Sequence, residues 1–259
     1  MRWIAALPLL ATSVLAQAPG KATQSAAAVK ELQAGLKAKT AFERLQAIKK
    51  AAKLDTDPIA KALAKSLRDK ENSVRKAAVR ALRYMKAPTA FKELLKAAKL
   101  FEKDEDIGPD YYLALGQKGD VKALPTLMHR AWNPASAKIF QARIKATAHI
   151  RSPASIQELI KLNNKFRPAG RRINKRGPTG PRRQITQALE LLTSQSAPQK
   201  GEEWRAWMLK IKKVTKVAAE PKGLTQRELA AYKQTWQQPL GDEERPDRKR
   251  DRRNKKRNK

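Results

Sequence analysis

Eight basic side chains fall within positions 165–183: Lys165, Arg167, Arg171, Arg172, Lys175, Arg176, Arg182 and Arg183, with no acid among them. Gly170, Gly177 and Gly180 are interspersed. A glycine beside an arginine lets backbone N–H groups and guanidinium forks converge on one oxyanion. A second cluster closes the sequence. Positions 245–259 hold ten basic and two acidic residues, Arg248, Lys249, Arg250, Arg252 and Arg253 among them. The chemistry on offer is attraction of a polyanion (nucleic acid, acidic polysaccharide, anionic head groups or an acidic protein), and it says nothing of which one. The whole chain leans the same way, with 57 Lys+Arg against 24 Asp+Glu and a formal net charge of +33. The alternative is a solvated basic surface with no ligand at all.

Catalytic arrangements are missing where that chemistry would need them. There are two histidines, His129 and His149, and no His-Glu-x-x-His run, P-loop, dinucleotide glycine fingerprint or Gly-x-Ser-x-Gly elbow. Asp104-Glu105-Asp106 lacks Ca²⁺-loop spacing and reads as an inter-helix turn. The sequence has no cysteine, so disulfides, thiolate metal sites, a Cys nucleophile and lipobox acylation are not expected. The expectation is a non-enzyme with no catalytic residue, no metal and no cofactor. Two aromatic pairs remain. Trp204 and Trp207 share one helical face, as stacking platform or as hydrophobic lid. Tyr111-Tyr112 reads as core and groove wall.

The elements that must carry these residues are helices in a repeat. Three apolar tracks recur in one register: Leu63, Leu95, Met128, Ile160 at steps of 32, 33 and 32; Val74, Ile107, Phe140 at steps of 33; Leu82, Leu115, Ala148 at steps of 33. A period near 33 holds two helices. The first helices open at Pro58, Pro88, Pro125 and Pro153, where the missing N–H costs nothing; Asp57 and Ser152 are N-cap candidates. In the clearest second helix Val74, Ala78, Ala81, Leu82 and Met85 form one inward stripe. An unbroken basic stripe along the repeats is not predicted, because positions 33 beyond Lys76, Arg80 and Arg83 are Pro109, Leu113 and Gly116.

The stretch Arg68-Asp69-Lys70-Glu71-Asn72-Ser73-Val74-Arg75-Lys76-Ala77-Ala78-Val79-Arg80-Ala81-Leu82 resembles the HEAT-repeat signature, an Asp in the turn followed by Val-Arg-x-x-Ala-x-x-Ala-Leu. Ala188-Leu189-Glu190-Leu191-Leu192-Thr193, followed by Trp204-Arg205-Ala206-Trp207, resembles the closing module of exported bacterial HEAT proteins of planctomycete type, with Ser194 where that pattern has Gly and Met208 where a further Trp is common. The resemblance implies an all-α fold, an α-solenoid of HEAT-type hairpins that acts as an interaction scaffold. An enzymatic variant of the fold, a phycobilin lyase, acts on cytoplasmic chromoproteins and conflicts with the leader described next.

Met1-Arg2, an apolar run over 3–15 and Val14-Leu15-Ala16 before Gln17 read as a signal peptide; the run is shorter than the ~20 residues of a membrane span. The expected organisation is a signal peptide over 1–16, a linker over 17–23, HEAT-type repeats over 24–194 with a basic loop at 166–182, a helical cap with the Trp pair over 195–241, and a disordered basic tail over 242–259. Within it, Val29, Leu32 and Leu36 followed by Phe42, Leu45 and Ile48 make a degenerate first pair. The expected function is an exported scaffold, periplasmic or extracellular, for a protein partner that an acidic surface would suit; sequence-independent polyanion binding is the rival. No membrane span is expected in the mature chain, and the sequence does not set an oligomeric state.

Overall fold

The computed structural model describes residues 21–166, 180–198 and 203–237; the expected signal peptide, most of the basic loop and the basic tail lie outside them. The described residues form helices and turns and no strand. In chain order the helices are α1 (Lys21–Gly35), α2 (Ala41–Ala51), α3 (Asp57–Ala64), α4 (Asn72–Tyr84), α5 (Pro88–Lys96), α6 (Ala98–Phe101), α7 (Gly108–Gln117), α8 (Leu124–Met128), α9 (Ala137–His149), α10 (Pro153–Lys165), α11 (Pro181–Thr193), α12 (Trp204–Lys212) and α13 (Gln226–Trp236). Short 3-10 turns extend α3 and precede α8. Five hairpins result: α1/α2, α3/α4, α5–α6/α7, α8/α9 and α10/α11. The second helices pack in series, α2 on α4, α4 on α7, α7 on α9 and α9 on α11, while α1, α3 and α5 form a first-helix row. The chain is an α-solenoid.

Local chemistry explains the helix starts. A proline occupies the first turn of α3, α5, α8 and α10, where no intrahelical donor is lost. Ser152 caps α10 through the Ala154 N–H at 3.2 Å. Asp57 serves elsewhere than expected: Thr56 is the N-cap of α3, and the Asp57 carboxylate accepts the Thr89 N–H at 2.9 Å, in the next hairpin. Asp55 likewise accepts the Lys86 and Ala87 N–H groups at 2.9 Å. Each acid satisfies donors at the start of α5 that α5 itself leaves unpaired.

The repeat tracks run through the core with one shift. Val74, Ile107 and Phe140 are buried, as are Leu82, Leu115 and Ala148. On the first track Leu63 and Ile160 are buried, but Leu95 and Met128 are only partly so. The deepest positions there are Leu63, Leu94, Leu127 and Leu159; in the last three the residue just before the track position lies deeper. All five members of the α4 stripe are buried. In the first hairpin Leu32 and Ile48 are buried, whereas Phe42, at the start of α2, is 68% exposed. Helix α1 begins at Lys21, inside the stretch expected as linker, and α11 begins at Pro181, so Arg182 and Arg183 belong to its first turn.

Close packing is set by small residues. A Cβ on Gly116 would stand 2.6 Å from the Ala146 Cα and 2.7 Å from its Cβ, so α7 and α9 approach nearly backbone to backbone. At the end of α11, Ser194 takes a left-handed conformation (φ 55°, ψ 31°) and its N–H bonds to Glu190 O at 2.8 Å. Glycine is favoured at such a C-cap, which accounts for the residue type of the pattern that Ser194 departs from.

Beyond α11, helix α12 packs on α10. Trp204 and Trp207 meet edge to face, ring centres 5.2 Å apart at 77°, and both are buried in the second of two core clusters. They are a lid over the last hairpin, as the blander of the two expectations had it. Helix α13 does not extend that cap. It turns back and joins the first core cluster through Trp236.

Candidate binding surface

The cationic residues singled out from the sequence divide into a part the structure describes and a part it does not. Lys165 ends α10 and holds its ammonium 3.5 Å above the centre of the Trp132 ring, a cation–π contact on a tryptophan that is 46% exposed. Two residues earlier, Asn163 accepts a hydrogen bond from Arg182 Nε at 3.4 Å, so the two flanks of the basic loop meet. Arg183 sits beside Arg182 in the first turn of α11. Arg167, Arg171, Arg172, Lys175 and Arg176, together with Arg248, Lys249, Arg250, Arg252 and Arg253, lie outside the described residues.

The remaining sequence candidates resolve into structural roles. Asp104 accepts the N–H groups of Asp106 at 3.0 Å and Ile107 at 2.9 Å, closing the turn before α7. Its neighbours are cations: Arg75 lies 3.8 Å from Asp104, and Lys76 lies 3.7 Å from Asp106 and from Asp110. Among the described residues no group of three His, Asp or Glu is placed to hold a metal ion. His129 follows α8 rather than lying in it, is exposed, and has Nε2 3.7 Å from Glu102. Tyr111 and Tyr112 are core. The Tyr111 hydroxyl donates to Leu94 O at 2.9 Å, and burial pushes both phenols above their ordinary range.

The roles of four arginines were not read from the sequence. Arg143, 2% exposed, donates to the His129 carbonyl and to the Tyr112 hydroxyl, with its guanidinium carbon 4.2 Å from the Tyr112 ring centre. Arg44 forms a bidentate pair with Asp69, 2.9 and 3.0 Å, and also donates to the carbonyls of Ala38 and Lys39. Arg44 precedes Asp69 by 25 positions and Arg75 precedes Asp104 by 29, so each arginine reaches an acid in the turn of the following hairpin. The other two, Arg83 and Arg151, point to the most specific surface feature among the described residues.

Along the second-helix row, α4, α9 and α11 receive α13. The Trp236 ring stacks on His149 with centres 3.8 Å apart at 11°. One turn earlier, the Tyr232 hydroxyl lies 2.7 Å from His149 Nδ1. Arg83 donates to the Thr235 carbonyl and to Gln117 Oε1, and its guanidinium lies 5.5 Å from the Trp236 ring centre. Arg151 donates to Ala218 O at 2.7 Å and Leu191 O at 2.8 Å, fixing the segment that leads into α13. Between α9, α11 and α13 lies a cavity of about 250 Å³ walled by Ile144, Ala148, Leu191, Leu224 and Tyr232. Burial, and then the charges of Arg83 and Arg151, lower the His149 pKa from 6.5 to about 4; the imidazole meets Trp236 as a neutral ring. His149 is neither in a catalytic motif nor a free surface residue. The available signal was Tyr232-x-x-x-Trp236, an aromatic pair on one face of an otherwise polar helix.

This row of hairpins has a counterpart among known families. Residues 59–148 match the family model described as HEAT repeats, the stretch that contains α4, α7 and α9. No curated protein matches the chain.

Proposed function

Residues 59–148 carrying HEAT repeats, we propose that the chain is an exported, non-catalytic scaffold that binds a protein partner along its second-helix row. The observation that carries this reading is that the row already holds a helix: α13, whose Tyr232 and Trp236 lie more than 80 residues from His149 in sequence, is seated on it by ring stacking and hydrogen bonds. A surface built to hold one peptide helix suits the recognition of another. The absence of any catalytic motif in the sequence, and the use of its acids as caps and ion pairs, supports a binding role over a chemical one. Among the described residues no helix is long and apolar enough to cross a membrane.

The rival reading, polyanion binding as the main activity, is favoured by the +33 charge and by the cationic flanks at Lys165 and Arg182. Salt separates the two. A protein partner held by ring stacking and apolar contact stays bound when ionic strength is raised several-fold, whereas phosphate contacts weaken by orders of magnitude. The mature chain, immobilised and loaded with its native envelope fraction, is expected to retain a protein through that wash. Retention of nucleic acid or polysaccharide alone, released by salt, would replace the scaffold reading with its rival. Export is tested separately: mass spectrometry of the protein from its native source should find Gln17 at the N-terminus.

A further inference from the structure

Helix α13 is held at one end only. Trp236 is its one buried residue, while Gln226, Arg227, Ala230, Lys233 and Gln234 are exposed. Its single acid, Glu228, is committed to its own start, accepting the Thr225 N–H at 2.9 Å and hydroxyl at 2.8 Å in a capping box. Beside neutral His149, the clasp holds two cations, Arg83 and Arg151, that lack a directly paired acid among the described residues. Burial is the first cause lowering the pKa of both Arg83 and Arg151. Neither forms an ion pair among the described residues. Arg83 is served by Gln117 and the Thr235 carbonyl, Arg151 by the carbonyls of Leu191, Ala218 and Glu220. A guanidinium drawn out of water and met only by neutral oxygens gains more from a carboxylate than from a carbonyl. Arg227 and Lys233 on α13 are exposed cations, so the helix brings no carboxylate to either arginine.

We propose that the clasp formed by Arg83, His149 and Arg151 is a binding site for an acidic amphipathic helix of a partner protein bearing two aromatic side chains one turn apart, and that α13 is its internal, displaceable occupant. This deepens the scaffold reading and rests on it. The incoming helix stacks one ring on neutral His149 as Trp236 does, places the second ring against the cavity wall where Tyr232 lies, and sets carboxylates on Arg83 and Arg151. The positive field of the chain draws such a helix in. Helix α13 competes from a short tether over 213–225, which gives it a high effective concentration; its shallow seat offsets that advantage. The described chemistry favours a protein helix over a nucleic acid, because a flat stacked ring on His149 is flanked by two guanidiniums rather than a continuous cationic track.

The probe is a fluorescein-labelled peptide of residues 225–237 carrying Arg227→Glu and Lys233→Glu, measured by anisotropy against the full mature chain at physiological salt, with a scrambled peptide of equal composition as control. Trp236→Ala in the protein vacates the clasp, and its affinity for the probe should rise about tenfold over the unaltered chain as the tethered competitor is removed. In that background Arg83→Gln and Arg151→Gln should each lower affinity by about tenfold, the range for losing a charge-assisted hydrogen bond. Far-UV circular dichroism keeps the readout honest, since the hairpins do not depend on either arginine for their core. Equal affinity of Trp236→Ala and the unaltered chain, equal binding of the scrambled peptide, or indifference to both arginine variants would each overturn the proposal. A native protein partner retained through the salt wash, yet indifferent to the same variants, would leave the scaffold reading standing and remove the clasp from it.

Discussion

Leu82 is fully buried in α4, and Arg80, two residues earlier, is exposed. An aspartate at position 82 would bury a carboxylate among apolar side chains, at a cost of several kcal/mol that rivals the stability of a whole domain. Leu82→Asp should therefore abolish cooperative melting, while Arg80→Asp should shift the midpoint little; equal midpoints would show the α4 facing to be wrong. His149 supplies a pH dependence of known sign. Its pKa is depressed, from 6.5 to about 4, so protons prefer the state in which the ring is released into water. The docked state is fully favoured above pH 6.5 and loses ground as pH falls towards 4. Tryptophan fluorescence should report weakening contacts of Trp236 already between pH 6.5 and 5, where carboxylates are still ionised, and His149→Phe should remove that early change. No pattern of residue types around His149 signalled this, because its partners come from 83 and 87 positions further along the chain.

At the scale of elements, hairpins and their register were legible because apolar side chains repeat at a spacing that two helices impose, and because proline marks the first turn of α3, α5, α8 and α10. Which member of an apolar pair lies deepest was not legible: Leu94 and Leu95 are adjacent on α5, and only the crossing of neighbouring helices puts Leu94 inside. Nor was the destination of α13, a docking between distant segments that leaves no periodic trace. The candidate site followed the same division. The cationic flanks were plain in the composition, and the clasp was hidden. Gly116 offers a test of element packing. Its missing Cβ lets α7 come within van der Waals contact of the Ala146 backbone, which cannot rotate away as a side chain could. Gly116→Val should destabilise by about 1–3 kcal/mol through overpacking. A thermal melt with an unchanged midpoint would show that α7 and α9 can separate freely.

For the whole molecule the governing quantity is charge. Any affinity for DNA or a heparin-like polymer should be electrostatic and blind to sequence. Counterion release gives a slope of log K against log salt near −0.9 per contacted phosphate, so roughly five contacts give about −4 to −5. Deleting 245–259 and neutralising Arg171, Arg172, Lys175 and Arg176 should flatten that slope; binding that ignores salt, or prefers one sequence strongly, would contradict it. The stack is also tied from hairpin to hairpin by polar contacts. Asp55 and Asp57, before and within α3, secure the start of α5 in the following hairpin, Arg44 of the first hairpin secures Asp69 of the second, and Arg75 of the second reaches Asp104 of the third. Loss of the third hairpin would leave Asp55 and Asp57 of the second as hydrated carboxylates. Loss of the second would leave the amides of Lys86, Ala87 and Thr89 to water alone. The solenoid is therefore a chain of ties between neighbours: Arg44 needs Asp69 of the following hairpin as much as the start of α5 needs Asp55 and Asp57 of the preceding one, so the loss of any unit should loosen the units on both sides of it.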